Sequence, residues 1–246
     1  MLSYLRRFLL SFVALCSVVV STGMAKAQAL TVTPVNIQLE AGQKATSLTV
    51  VNQGSNPTSI QLRVYAWDQL GGTDQLTSSN AVLVSPPLAT IEPGATQIVR
   101  IVLRRSPEGH EETYRIVLDQ IPPPAEPGIV HVVLRMSIPI FAETKARGSS
   151  HMQFHVEREA GKTFLIALNN GARHDTLRNI ELWTKNNLKL QPEITGSPYV
   201  LAGVTRRWQI SAETPDTLAL PSDSFRLKAL ASTGAIEEQV HFVGAP

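Results

Sequence analysis

The chain has a single cysteine, Cys16, so no internal disulfide can form and its stability must come from burial. Cysteine nucleophiles and thiolate metal cages are excluded beyond residue 16. Charge of one sign is also missing. The formal net charge is +2, and setting aside Arg6, Arg7 and Lys26 leaves −1. That balance argues against a nucleic-acid or anionic-membrane surface. Beyond the first thirty or so residues no apolar run is long enough to span a bilayer. The sequence contains no P-loop, no G-x-G-x-x-G and no G-x-S-x-G elbow. Long segments of 3.6-residue periodicity are lacking too. His151 and His155 stand four apart, but in a β context that is roughly 13 Å, too far for one metal. The acidic residues are scattered among turns and read as solvated surface. Neither an enzyme, a cofactor site nor a small-molecule substrate is expected.

What is present begins with a leader. Arg6-Arg7 precede an apolar run from Phe8 to Val20, followed by Ala25-Lys26-Ala27 and Ala27-Gln28-Ala29. A basic start, a short apolar stretch and small-x-small sites predict a secretory signal peptide over residues 1–29, cleaved after Ala27 or Ala29. The run is short for a membrane anchor.

From Leu30 the signals are β. Leu30–Leu39, Ala45–Asn52, Ser59–Trp67, Val82–Leu88, Thr96–Leu103, Tyr114–Asp119 and a last stretch ending at Phe141 alternate or run apolar between Gly/Pro turns. About seven strands at this spacing predict an immunoglobulin-like β-sandwich over 30–143, with Trp67 a natural core aromatic. Ser85-Pro86-Pro87 demands a sharp bend, and a cis X–Pro bond is expected there. Thr144 to Ser150 reads as a linker. The pattern then restarts at Gln153 and runs to Phe242, predicting a second, smaller sandwich over 151–246. The fold class is all-β, two immunoglobulin-like sandwiches in tandem.

The most informative stretch is Ile129-Val130-His131-Val132-Val133-Leu134-Arg135-Met136-Ser137-Ile138-Pro139-Ile140-Phe141. Val130, Val132, Leu134, Met136, Ile138 and Ile140 share one parity, so one face of a strand is continuously apolar. The run would be about 40 Å long, far beyond a typical strand. Pro139 lacks an N–H and points to an edge strand or a strand end. Soluble proteins avoid long apolar edges. The stretch is therefore either the buried last strand of its own sandwich or a strand offered to another protein.

Val84-Ser85-Pro86-Pro87-Leu88, Gln97-Ile98-Val99-Arg100-Ile101 and Tyr114-Arg115-Ile116-Val117-Leu118-Asp119-Gln120-Ile121-Pro122, followed by the long strand, resemble the PapD-like periplasmic pilus-assembly chaperones of the chaperone–usher pathway. Their archaic branch, serving spore-coat-U-type subunits, is the nearer likeness. Asn169-Asn170-Gly171-Ala172-Arg173-His174 and Val204-Thr205-Arg206-Arg207-Trp208 fit that branch as well. The resemblance spans Leu30 to Phe242. It implies a periplasmic protein whose last strand completes an incomplete pilus subunit, with Val130, Val132, Leu134, Met136 and Ile138 as the donor row, and an outer-membrane usher as second partner. Better-known relatives grip the subunit's terminal carboxylate with an Arg and a Lys, at positions aligned here with Asn36 and Pro139, which carry no charge. Arg100, Arg115 and Arg135, with Asn36 as a neutral donor, are the remaining anchor candidates, each equally readable as an arginine serving the fold. An exported two-domain adhesin or structural module is the alternative.

Overall fold

The computed structural model describes residues 30–124, 127–128, 132–146, 148–194, 196–211 and 224–243. The expected leader and Val130 lie outside these residues.

The first sandwich contains ten strand segments: β1 (Leu30–Thr33), β2 (Ile37–Leu39), β3 (Ala45–Asn52), β4 (Thr58–Leu70), β5 (Thr73–Ser78), β6 (Val82–Ser85), β7 (Leu88–Ile91), β8 (Thr96–Leu103), β9 (Glu112–Ile121) and β10 (Arg135–Ala142). One sheet runs β1-β3-β8-β6, and the other β2-β10-β9-β4-β5 with β7 also on β4. The count exceeds the expected seven partly because two strands change sheets at prolines, which cannot donate to a ladder. β1 pairs with β3 in one sheet, and after Thr33-Pro34 the chain joins the other sheet as β2. β6 and β7 divide in the same way around Ser85-Pro86-Pro87. The Thr33–Pro34 and Ser85–Pro86 bonds are both cis, the second as expected. β5 escaped sequence reading because Thr-Asp-Gln-Leu-Thr-Ser is polar and exposed throughout.

The second sandwich contains β11 (Met152–Glu159), β12 (Lys162–Asn169), β13 (Asp175–Trp183), β14 (Lys189–Pro192), β15 (Tyr199–Val200), β16 (Thr205–Ser211), β17 (Ser224–Ala231) and β18 (Gly234–Val243). Its strands are hydrogen-bonded in one series, β14-β16-β12-β11-β18-β17-β13-β15, and a further β13–β14 pairing closes the series on itself. The core lies inside, built on Val156, Leu165, Leu182, Val200 and Leu227, all fully buried.

Both halves use the same device where a strand ends. Asn52 closes β3 with no exposed area, donating to the carbonyls of Asn56 (2.8 Å) and Ile91 (2.9 Å) and accepting from Gly54 N–H (2.9 Å). Asn169 closes β12 and donates to the carbonyls of Arg173 (2.8 Å) and Val200 (3.1 Å), accepting from Gly171 N–H (3.1 Å). A buried amide saturated in this way ties a turn to a distant strand. Gly171 is required there. A Cβ on it would lie 2.3 Å from the Ser149 carbonyl oxygen and 2.5 Å from the His151 nitrogen.

Asp175, 1 % exposed, staples three segments of the second sandwich. It accepts from Ser150 Oγ (2.7 Å), Thr176 N–H (2.7 Å), Ser232 N–H (2.9 Å) and Ser232 Oγ. Burial pushes its carboxyl up, but the four hydrogen bonds outweigh this and hold it below its ordinary value. A depressed carboxyl stabilises the fold above the unfolded-state pKa, and that contribution is lost as pH falls through the folded one. At pH 7 Asp175→Asn should therefore cost about 1.5–3 kcal/mol. The gap to the parent should narrow below about pH 4. Urea unfolding at several pH values measures both, and an unchanged gap in acid would contradict this reading.

Candidate functional site: an open strand edge beside an interdomain cleft

β10 lies between β9 and β2, but β2 covers only Ile140–Ala142. Gln120 N–H donates to the Leu134 carbonyl at 2.9 Å. In an antiparallel ladder the direction alternates, so the backbone groups of Met136 and Ile138 face β9 while those of Arg135 and Ser137 face outward. Among the described residues no strand lies against them there. Unpaired N–H and C=O groups in a row form a template for another strand. Pro139, also outward-facing, brings no N–H, consistent with its expected place on an edge.

The expected strand over 129–141 is shorter in the structure and begins at Arg135. Its register with β9, extended backward, would set Val133 against Ile121 and Val132 against Pro122. β9 ends at Ile121, and Pro122-Pro123-Pro124 offer no N–H groups to continue the ladder. Leu134 N–H settles on the Gln120 side chain instead, at 3.1 Å.

Along this parity the side chains pass from solvent into the core. Val132 is 88 % exposed, Leu134 is half-buried, and Met136 packs partly against the first core. Ile138 is 1 % exposed and Ile140 fully buried. Ile138 is therefore a core residue of its own sandwich and is withdrawn from the donor row, because parity fixes the face but not the depth.

The anchor candidates separate. Arg100 is exposed on β8 in the other sheet, paired between Ser47 and Ser85, so its place is a correction to the expectation. Arg135, whose side chain is 72 % exposed, pairs with Asp119, which also accepts from Arg63 at 2.7 Å. Burial pushes the Asp119 carboxyl up, but the bonds from Arg135 and Arg63 hold it below its ordinary value. Arg115 sits directly across from Pro139 in the ladder and is 8 % exposed. Its guanidinium stacks on Trp67 at 3.6 Å and reaches Asp74 at 3.8 Å. Asn36, exposed just before β2, comes within 3.5 Å of the Tyr199 hydroxyl. Arg115 and Asn36 thus share the region where the two sandwiches meet.

That region has its own apolar centre. Trp67, Phe141, Leu201 and Val204 form a buried cluster, with Tyr199 against it. Trp67 is core-like in burial, but it belongs to the seam between sandwiches rather than to the interior of the first. Phe141 stacks on His174 with ring centroids 3.5 Å apart. Glu111 accepts from His174 at both the backbone N–H (3.0 Å) and Nδ1 (2.6 Å). Gln69 bridges the Tyr199 carbonyl (3.0 Å) and the Leu201 N–H (3.1 Å). Arg206, 2 % exposed, reaches Asp74 at 3.5 Å. Sequence reading missed Tyr199, Asp74 and Glu111 in this role, although His174 and Arg206 lay in stretches it had singled out.

Residues 29–146 match the family model for the pili and flagellar-assembly chaperones, PapD N-terminal domain. The chaperone protein FimB/FhaD of Bordetella pertussis is 28 % identical over 117 residues, 44 % of this chain and 46 % of its own length, so the match spans about half of that relative. Among solved structures, the CsuC–CsuE chaperone–tip adhesion subunit pre-assembly complex from the archaic chaperone–usher Csu pili of Acinetobacter baumannii superposes with a TM-score of 0.67. That match has 24 % identity and covers 89 % of this chain and 100 % of the other. The Salmonella enterica SafA pilin–SafB chaperone complex gives a TM-score of 0.58 at 19 % identity, covering 89 % and 98 %. The structural likenesses concern the fold. The first sandwich is thus a PapD-like N-terminal domain of the kind found in pilus-assembly chaperones.

Proposed function

We propose that this protein is a periplasmic chaperone of the archaic chaperone–usher branch, which captures incomplete pilus subunits by strand donation and delivers them to an outer-membrane usher. The observation that carries this reading is the open edge of β10, where outward backbone groups lie beside an apolar row that leaves the core at Met136 and is free at Val132. A subunit strand pairing there would satisfy both partners' backbones while Val132, Leu134 and Met136 fill its groove, with Val130 next on the same parity. Each fully buried aliphatic plug contributes about 1.5–3 kcal/mol. Arg115, beside Pro139, is the favoured anchor for the subunit's terminal carboxylate, and Asn36 is a neutral helper. The domains so used would be residues 30–143 and 151–246, joined by 144–150. Capture needs neither catalysis nor a cofactor.

Co-expression with candidate subunits, followed by pull-down from periplasmic extracts, tests the reading. A subunit should co-purify in a one-to-one complex, and the mature protein should begin at Gln28 or Leu30. A retained Met1 would remove the export arm. Direct binding to surface glycans without subunit capture would favour an adhesin.

A further inference from the structure

A cavity of about 250 Å³ lies on the second sandwich, where the turn after β13 meets β17 and β18. Trp183, Lys185, Asn187, Ser224, Arg226 and Gln239 contribute to its wall. Strand pairing sets Trp183 beside Arg226 and Arg226 beside Gln239, so three strands bring these side chains into one row. The row faces away from the core, because Leu182, Phe225, Leu227 and Val240 on the alternate parity are buried in it. Lys185 and Asn187 come from a turn that is held internally. Thr184 N–H donates to the Leu188 carbonyl and Asn187 N–H to the Thr184 carbonyl, both at 3.0 Å. Asn187 has a φ of 58°, in the left-handed region that asparagine tolerates.

The neighbouring row on this face, Glu181, Lys228 and Glu237, has its charges matched. Glu181 pairs with Lys189 at 2.5 Å and Glu237 with Lys228 at 3.1 Å. Arg226 and Lys185 are left over: among the described residues neither pairs with a carboxylate, and the cavity wall holds no acidic side chain. Lys185, Asn187 and Gln239 are exposed and Arg226 is half-buried, so these groups are within reach of a ligand. Two cations with no acid between them select an anion. The volume falls below the roughly 300–1,000 Å³ of drug-sized sites and suits a single small ring. A bare oxyanion would use only the cations. The Asn187 and Gln239 amides each offer donors and an acceptor, the complement of neighbouring hydroxyls. Trp183 adds an apolar flank. Arg226 and Lys189 stand 5.7 and 5.5 Å from its ring centroid, too far to lie flat on it as Arg115 does on Trp67 at 3.6 Å. A sugar ring with an acidic substituent uses the cations, the amides and the apolar flank together.

We propose that this cavity binds an anionic monosaccharide unit, its acidic group held by Arg226 and Lys185 and its hydroxyls by Asn187 and Gln239. The site lies on the sandwich that does not carry β10, so it stands or falls independently of strand donation. The test titrates the full mature chain with D-glucuronate, D-glucose 6-phosphate, D-glucose and inorganic phosphate, read by the shifts of its nitrogen-15-labelled amide and indole resonances. The two acidic sugars should bind at least about tenfold tighter than glucose, the scale of one charge-assisted hydrogen bond, and tighter than phosphate. Their affinity should fall as salt is added. Tighter binding of glucuronate identifies a sugar carboxylate as the ligand, and tighter binding of glucose 6-phosphate a phosphorylated sugar. Lys185→Gln, at an exposed turn position, should remove most of the preference over glucose while leaving subunit capture unchanged. Arg226→Gln should do the same, with circular dichroism checking its fold, and if that variant does not fold Lys185→Gln decides. Glucose or phosphate binding as tightly as the acidic sugars, no saturable shift with either acidic sugar, or a preference that survives Lys185→Gln would overturn the proposal.

Discussion

Leu134→Lys should abolish subunit capture and leave the first sandwich folded, whereas Ile138→Lys should unfold it. The two residues share a parity and lie four apart, so they differ in depth and not in face. Ile138 is 1 % exposed and packs in the main core. An ammonium there has no partner and no path to water, the kind of change that costs more than about 4 kcal/mol. Leu134 is half-buried, beyond the strand proper, and a lysine can carry its head group into solvent. In a complex that escape would be closed. The lost burial and the trapped charge should together weaken capture by about 100-fold or more. Val132→Ala, at a position 88 % exposed, should leave stability unchanged while weakening capture modestly. Urea unfolding paired with subunit pull-down separates the two effects. If Leu134→Lys lowers the unfolding midpoint as far as Ile138→Lys and the folded fraction still captures subunit, the row is core and strand donation fails.

The depth contrast marks the limit of what the sequence could show. Period-two alternation identified the all-β class, the paired sandwiches and the apolar face of β10, because a strand's side chains must alternate. Prolines marked the bends at Ser85-Pro86-Pro87 and the edge character of β10. Alternation carries no information on where a partner strand stops. The end of β9 at the triple proline is what frees Val132, and it acts through a register known only once the strands are paired. Arg100 and Arg115 occupy similar apolar strands in sequence, yet β8 and β9 belong to opposite sheets. Trp67 looked like core because burial inside a sandwich and burial between sandwiches leave the same mark on a single residue. Tyr199, Asp74 and Glu111 gave no signal, since their part in the seam depends on contacts with the other sandwich that no spacing in the sequence reveals.

Arg115→Ala should weaken capture of a subunit with a free terminal carboxylate by about 2–5 kcal/mol, the cost of truncating one buried charge partner. The position suits the task. Arg115 stands across from Pro139 and β2 flanks the same strand on its other side, so its neighbourhood takes in both uncharged aligned positions. Burial pulls its guanidinium below its ordinary value while Asp74 opposes the shift. The Asp74 contact, at 3.8 Å, is too long for a charge-assisted hydrogen bond, so the guanidinium's donors are not saturated by it. A lysine should not substitute, because the stack on Trp67 at 3.6 Å uses the planar group. Arg135→Ala, at an exposed pair with Asp119, should change capture by no more than about 1 kcal/mol. Arg115 also braces the seam, so its loss lowers stability whichever subunit is offered. Comparing a free with an amidated subunit terminus removes that common effect. The parent chain should prefer the free carboxylate, and Arg115→Ala should show no preference. Equal capture of both termini by the parent chain would mean that the carboxylate is not gripped at the cleft.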